Sequence, residues 1–129
     1  MMSRYPSDER HTDEATARIA VTEVPRRAGS VLVAVTGDLD IGTTDTFDRR
    51  LSEILAGRSD QLLELDLSAL EFCDLVGLRA LCAWGQAHAE NRQRIRITAA
   101  GPALDLLLHF CRIPALLDHV PRLTHREND

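Results

Sequence analysis

"LELDLSALEFCDLVGLRAL", residues Leu63–Leu81, joins two periodicities, and the reading of that junction decides the fold. Leu63, Leu65 and Leu67 alternate with Glu64 and Asp66, the period of a strand with one buried face. From Leu75 onward a helix is predicted, running to about Glu90. Asp74 stands between the two, where an N-cap belongs, and such a cap is worth roughly 0.5–2 kcal/mol.

Outward from this junction the same alternation of strands and helices repeats. Ile19–Val24 alternates weakly and reads as an edge strand, followed by a turn at Pro25–Gly29. Val31–Gly37 is a continuous β-prone run and reads as a buried strand. In the next segment Phe47, Leu51, Ile54 and Leu55 fall on one helical face. Thr43 or Thr44 is placed to cap that helix, Asp45 suits its positive end, and Gly57 ends it. "RIRITAA" follows as a short strand with Ile95 and Ile97 facing alike. "GPALDLLLHFCRI" opens a helix with Pro102 in its first turn and Leu104, Leu107, Leu108 and Cys111 on one face. "LDHVPRL" is predicted to add a last short strand. The expected fold is α/β, with a mixed sheet of four or five strands and helices mainly on one face. The opening hairpin supplies the antiparallel pair. Residues 1–17 and 124–129 are expected to be flexible tails around one domain at 18–123.

Composition narrows the function classes. The chain has 129 residues, 44% apolar and 27% charged, a soluble globular balance. No apolar run reaches about 18 residues, so no membrane insertion is expected. The start of the chain has no apolar core of a secretory signal. All 15 basic residues are Arg, the net charge is −5, and no basic stripe is present, which argues against nucleic acid as a partner. Cys73, Cys82 and Cys111 form no CxxC pair and read as buried, reduced thiols of a cytoplasmic protein.

Candidates for chemistry are few. Cys73 has no base evident near it, as a thiolate nucleophile requires. His109 and His119 lack metal-ligand spacing, so no metal is expected. "GDLDIGTTD" precedes a helix but lacks the Lys and the Gly spacing of a phosphate-cradling loop, so no cofactor is expected. The protein is therefore expected to be no enzyme.

The helix after Asp74 gives a further signal. At about 100° per residue, Leu78, Leu81, Cys82, Gly85 and Ala89 group as a core face. Arg79, Gln86 and Glu90 form a polar strip. Val76, Ala80, Ala83 and Ala87 fall on the far side, flanked by Trp84. Small residues and a Trp turned outward suggest a binding surface. Alanine is also simply a good helix former, and Trp84 can fold back onto the domain.

The order of elements, with "GDLD" after a buried strand, "LELDLSALEFCDLVGLRAL" across the junction and "GPALDLLLHFCRIPALL" near the end, resembles the STAS domain. That family comprises bacterial anti-sigma-factor antagonists and the related sulfate-transporter domain. The resemblance covers about residues 19–123. It implies a protein that binds an anti-sigma factor of the kinase-like ATPase type, freeing the sigma factor and so regulating transcription. It also implies inactivation by phosphorylation in an Asp-Ser-Ser-Gly-type motif at the start of the second helix. The corresponding residues are Asp74, Leu75, Val76 and Gly77. Asp74 and Gly77 match, whereas Val76 stands at the phosphoacceptor position as a degenerate phosphosite.

The resemblance places partner binding at Asp38, Asp40, Thr43 and Thr44 in the first loop, where the two aspartates supply negative charge. The expected docking surface continues through Asp74, Leu75 and Val76 and, by the outward face of the helical wheel, through Ala80, Ala83 and Trp84. Constitutive binding, free of the phosphorylation switch, is the leading expectation. A STAS scaffold subunit of a transporter or signalling assembly, or a small-ligand sensor, is the alternative. Thr43, Thr44 and Ser68 are weighed as displaced phosphoacceptors, and a homodimer stays open.

Overall fold

A computed structural model describes residues 18–26 and 28–122. The expected tails at 1–17 and 124–129 lie outside the described residues. The elements are β1 (Ile19–Val24), β2 (Ser30–Leu39), α1 (Thr44–Leu55), β3 (Leu62–Cys73), α2 (Leu75–Glu90), β4 (Ile95–Ala99) and α3 (Gly101–Phe110). One four-stranded sheet has the order β1-β2-β3-β4, with β1 antiparallel to β2 and the other neighbours parallel. It is the mixed sheet that the sequence predicts.

Two consecutive right-handed crossovers in the same direction put α1 and α2 on the same face. Val31, Val33 and Val35 of β2 and Leu63, Leu65 and Leu67 of β3 face them. They form one core with Phe47 and Leu51 of α1, Leu78 and Leu81 of α2, and Leu104 and Leu108 of α3. Each such side chain, fully buried, contributes about 1.5–3 kcal/mol.

The strand before Asp74 is longer than its alternation suggests. Past Leu67 the buried positions are Leu70 and Cys73, three residues apart. Two register shifts against β2 explain this, because β3 twice holds one residue more than its partner. Such bulges bend a strand and re-aim its side chains. They carry β3 on to the start of α2.

Among the described residues, the opposite face of the sheet buries the charge of Glu64. Glu64 Oε1 lies 2.8 Å from Arg26 Nη2 and Glu64 Oε2 lies 2.8 Å from Arg96 Nη2. The two guanidiniums cover a carboxylate that the alternation of β3 reads as solvent-facing.

The predicted fifth strand does not form among the described residues. Leu116 and His119 make an isolated antiparallel bridge instead, and Leu117 and Asp118 between them turn the chain.

Candidate partner-binding site

Antiparallel pairing brings the start of β1 beside the end of β2, with Ile19 opposite Gly37. Parallel pairing brings the ends of β2 and β3 together, with Leu39 opposite Cys73. The starts of α1 and α2 follow directly. One end of the sheet thus collects both loops that the sequence singles out.

The first loop is built around Asp40. Its carboxylate accepts from Arg18 Nη2 at 2.9 Å, from Arg18 Nη1 at 3.2 Å and from the Gly42 amide at 2.9 Å. Asp40 is buried, so its charge is neutralised inside the loop rather than displayed. Thr43 is buried too, at 1% exposure. Its hydroxyl accepts from the Asp40 amide and donates to the Asp38 carbonyl, both at 2.9 Å. Thr43 occupies the N-cap position of α1 but makes no capping bond with its side chain. That corrects the expected capping role, because the loop's own backbone has claimed the hydroxyl. A buried, doubly bonded hydroxyl is also inaccessible to a kinase. Thr44 begins α1 and is half-buried, as is Asp38.

The second loop is the Asp74 junction. Asp74 Oδ1 accepts from the Gly77 amide at 2.8 Å, an N-cap bond at the start of α2. Its other oxygen accepts from the Ile41 amide at 3.3 Å, so one carboxylate ties the two loops together. The Asp74 amide in turn donates to the Leu39 carbonyl at 3.2 Å. α2 starts so close to β2 that a Cβ on Gly77 would collide with the Leu39 carbonyl oxygen. The glycine of the motif is therefore demanded by this close approach.

Around these clips the surface is apolar. Ile41 is 75% exposed, Leu75 53% and Phe72 50%, and Val76 is half-buried in the first turn of α2. Sequence reasoning missed Ile41, Phe72 and Arg18. Ile41 had a signal, being a large aliphatic side chain inside a polar loop. Arg18 had none, because only the hairpin brings it to Asp40.

The remaining predicted site residues divide. Ala83 is exposed on α2. Ala80 and Trp84 pack against the core instead of pointing away from it. The Trp84 indole donates to Asp48 Oδ1 of α1 at 2.7 Å and stacks on His88 with centroids 4.7 Å apart. Conversely Cys82 and Ala89, expected inside, are exposed. α2 is thus rotated relative to the expected wheel. Alanines do not specify an orientation, whereas Trp84 finds its acceptor on the neighbouring helix.

Burial, with Asp74 and Asp40 adding to it, pushes the Cys73 thiol up to about 12, so it stays protonated. His119 Nε2 lies 2.6 Å from Asp105 Oδ1, away from both loops in the sequence. Among the described residues no three His, Cys, Asp or Glu side chains group as a metal site, and no helix is long and apolar enough to cross a membrane.

Residues 22–118 match the family model described as "Mlab, STAS domain". Among solved structures, an anti-sigma factor antagonist from Mycobacterium paratuberculosis aligns at 26% identity. Its TM-score is 0.62, over 85% of this chain and 92% of that one. The anti-sigma factor antagonist SpoIIAA in its unphosphorylated form aligns at 14% identity and TM-score 0.58, over 73% and 82% of the two chains. The murine solute carrier 26 family member A9 anion transporter aligns at 16% identity and TM-score 0.62, over 80% of this chain and 20% of that one. The last two show likeness of fold. No curated protein sequence matches. With the sheet order, the helix positions and the Asp74–Gly77 junction in place, the chain belongs to the STAS domain family.

Proposed function

We propose that this STAS domain is a non-enzymatic, cytoplasmic protein-binding module of the anti-sigma-factor antagonist kind. It binds its partner, an anti-sigma factor of the kinase-like ATPase type, without a phosphorylation switch at the usual position. The observation that carries this reading is the apolar surface at the start of α2. Ile41 and Leu75 are exposed on either side of the Asp74 clip, and Val76 has no oxygen to accept a phosphate. A phosphate there would bring about −1.5 to −2 charges into the first turn beside Asp74. With Val76 the surface stays dry and fit for docking. Leu75 and Ile41 act as anchors, and Asp38 at the loop edge contributes charge that favours encounter more than affinity. Asp40 and Thr43 serve by holding the loop, and Trp84 by fixing α1 against α2. Titration of the purified partner with wild type, Leu75→Asp and Val76→Asp tests this. Binding that is lost in both variants while the fold persists supports it, and binding kept by both removes the surface from the function.

A second reading has its own support in the family description "Mlab" and in the fold likeness to an anion transporter's chain. On this reading the domain is a scaffold subunit of a transport ATPase. Copurification with an ABC-type ATPase, unaffected by Val76→Asp, would favour it over the first.

A further inference from the structure

The chain enters the described fold beside the two loops. The Arg18 carbonyl accepts from the Asp38 amide at 2.8 Å, and its guanidinium lies on the Asp40 carboxylate. A Cβ on Gly42 would stand 2.5 Å from Arg18 Nη2, so the Arg18 side chain lies against the loop that carries Ile41. Residues 1–17 therefore lead into the fold next to the exposed Ile41 and Leu75. Fully extended, the stretch from Tyr5 to Arg18 reaches roughly 40 Å, so length does not keep Tyr5 from this surface.

The surface has a charge at each side. Asp45, in the first turn of α1, and Arg79, one turn along α2 from Leu75, are both exposed. Neither forms an ion pair among the described residues. Acidic, apolar and basic groups thus follow one another from Asp45 through Ile41 and Leu75 to Arg79. The segment "RYPSDE", residues 4–9, has the complementary order: Arg4, then Tyr5 and Pro6, then Asp8 and Glu9. Tyr5 is the one Tyr of the chain, and Tyr joins a large apolar body to a polar tip.

We propose that residues 4–9 lie on the Ile41–Leu75 surface of their own chain and compete there with the protein partner. This rests on the docking surface of the proposed function, and it supplies a control that Val76 cannot. Tyr5 packs on Ile41 and Leu75, Arg4 pairs with Asp45, and Asp8 and Glu9 pair with Arg79. Exposed ion pairs are weak, but they fix the direction in which the segment lies. Tethering makes weak docking sufficient, because a short tether holds its far end at an effective concentration of about millimolar. The segment then covers the surface part of the time, and the partner's apparent affinity falls with the uncovered fraction.

NMR on the full chain tests this without any partner. The Tyr5 ring should show NOEs to the methyl groups of Ile41 and Leu75, unchanged on dilution. Tyr5→Ala should shift those methyl signals and leave those of Val33 and Leu65 in place. Arg79→Glu should remove the NOEs, and adding Asp8→Arg and Glu9→Arg to it should restore them. Absent NOEs, or loss without restoration by the charge swap, would overturn the proposal. So would NOEs that fade on dilution, since the occupant would then be a second copy. With the purified partner, Tyr5→Ala should lower the apparent Kd about three-fold or more. If Leu75→Asp abolishes partner binding and Tyr5→Ala leaves it unchanged, the competition is refuted while the docking surface stands. If Leu75→Asp keeps the partner, the docking surface and the competition both fall.

Discussion

Replacing Asp74 with Ala removes the N-cap of α2 and the tie to Ile41 in one step. The cap bond is short, at 2.8 Å, and a lost cap costs about 0.5–2 kcal/mol. The Ile41 contact is long and exposed, at 3.3 Å, and adds little to that figure. Asp74→Ala should therefore destabilise the domain by about 1–2 kcal/mol, with roughly 4–8 °C lost from Tm per kcal/mol in a domain of this size. Asp74→Asn keeps an oxygen for the Gly77 amide and loses only the carboxylate's charge at the helix start, worth about 0.3–1 kcal/mol. Urea unfolding followed by circular dichroism measures both variants. Ala within about 0.3 kcal/mol of wild type, or Asn at least as damaging as Ala, would refute the assignment of Asp74 as the clip between the loops.

Gly77→Ala should cost about 1–3 kcal/mol by overpacking against Leu39, despite alanine's helix propensity, and a neutral or stabilising change in urea unfolding would show that α2 can step back freely. Thr43→Val keeps the shape but strands the Asp40 amide and the Asp38 carbonyl, so a loss of about 1–3 kcal/mol is expected by the same assay; no loss would mean that the hydroxyl network is dispensable. The Cys73 thiol has a folded pKa of about 12, above its ordinary 9.0. The folded state thus holds that proton more tightly, and the resulting stability is complete below about 9 and lost as pH rises toward 12. At pH 8 a disulfide reagent should modify the exposed Cys82 before Cys73, and Cys73 reacting first in the folded protein would contradict its burial.

The sequence carries the element order well, because each strand and helix keeps its own hydrophobic period. Leu63, Leu65 and Leu67 locate β3, yet the strand's last third escapes the pattern. Its two extra residues change the buried spacing from two to three, and periodicity then falls silent at the residues that shape the site. The orientation of α2 was misread for another reason. A helix with five alanines and glycines among its first thirteen residues has a weak apolar direction, and α1 decides it through Asp48 and Trp84. Asp40 and Glu64 read as surface charges, and both are buried by arginines that the sheet brings from distant positions. Thr43 illustrates the same limit within a single loop: its type fits a cap, and the local backbone uses it differently. In contrast Asp74 was legible as a cap from its place before the helix, whereas Gly77 was matched only through the family motif, and its close approach to Leu39 shows only in the fold.

Affinity capture from the host cytosol, with wild type and Val76→Asp compared side by side by mass spectrometry, tests the proposed function most directly. An anti-sigma factor of the ATPase type retained by wild type and absent with Val76→Asp is the expected result, since a charge at that position wets the docking surface. Equal recovery of one ATPase or membrane complex by both proteins would contradict it and leave the start of α2 a purely structural feature.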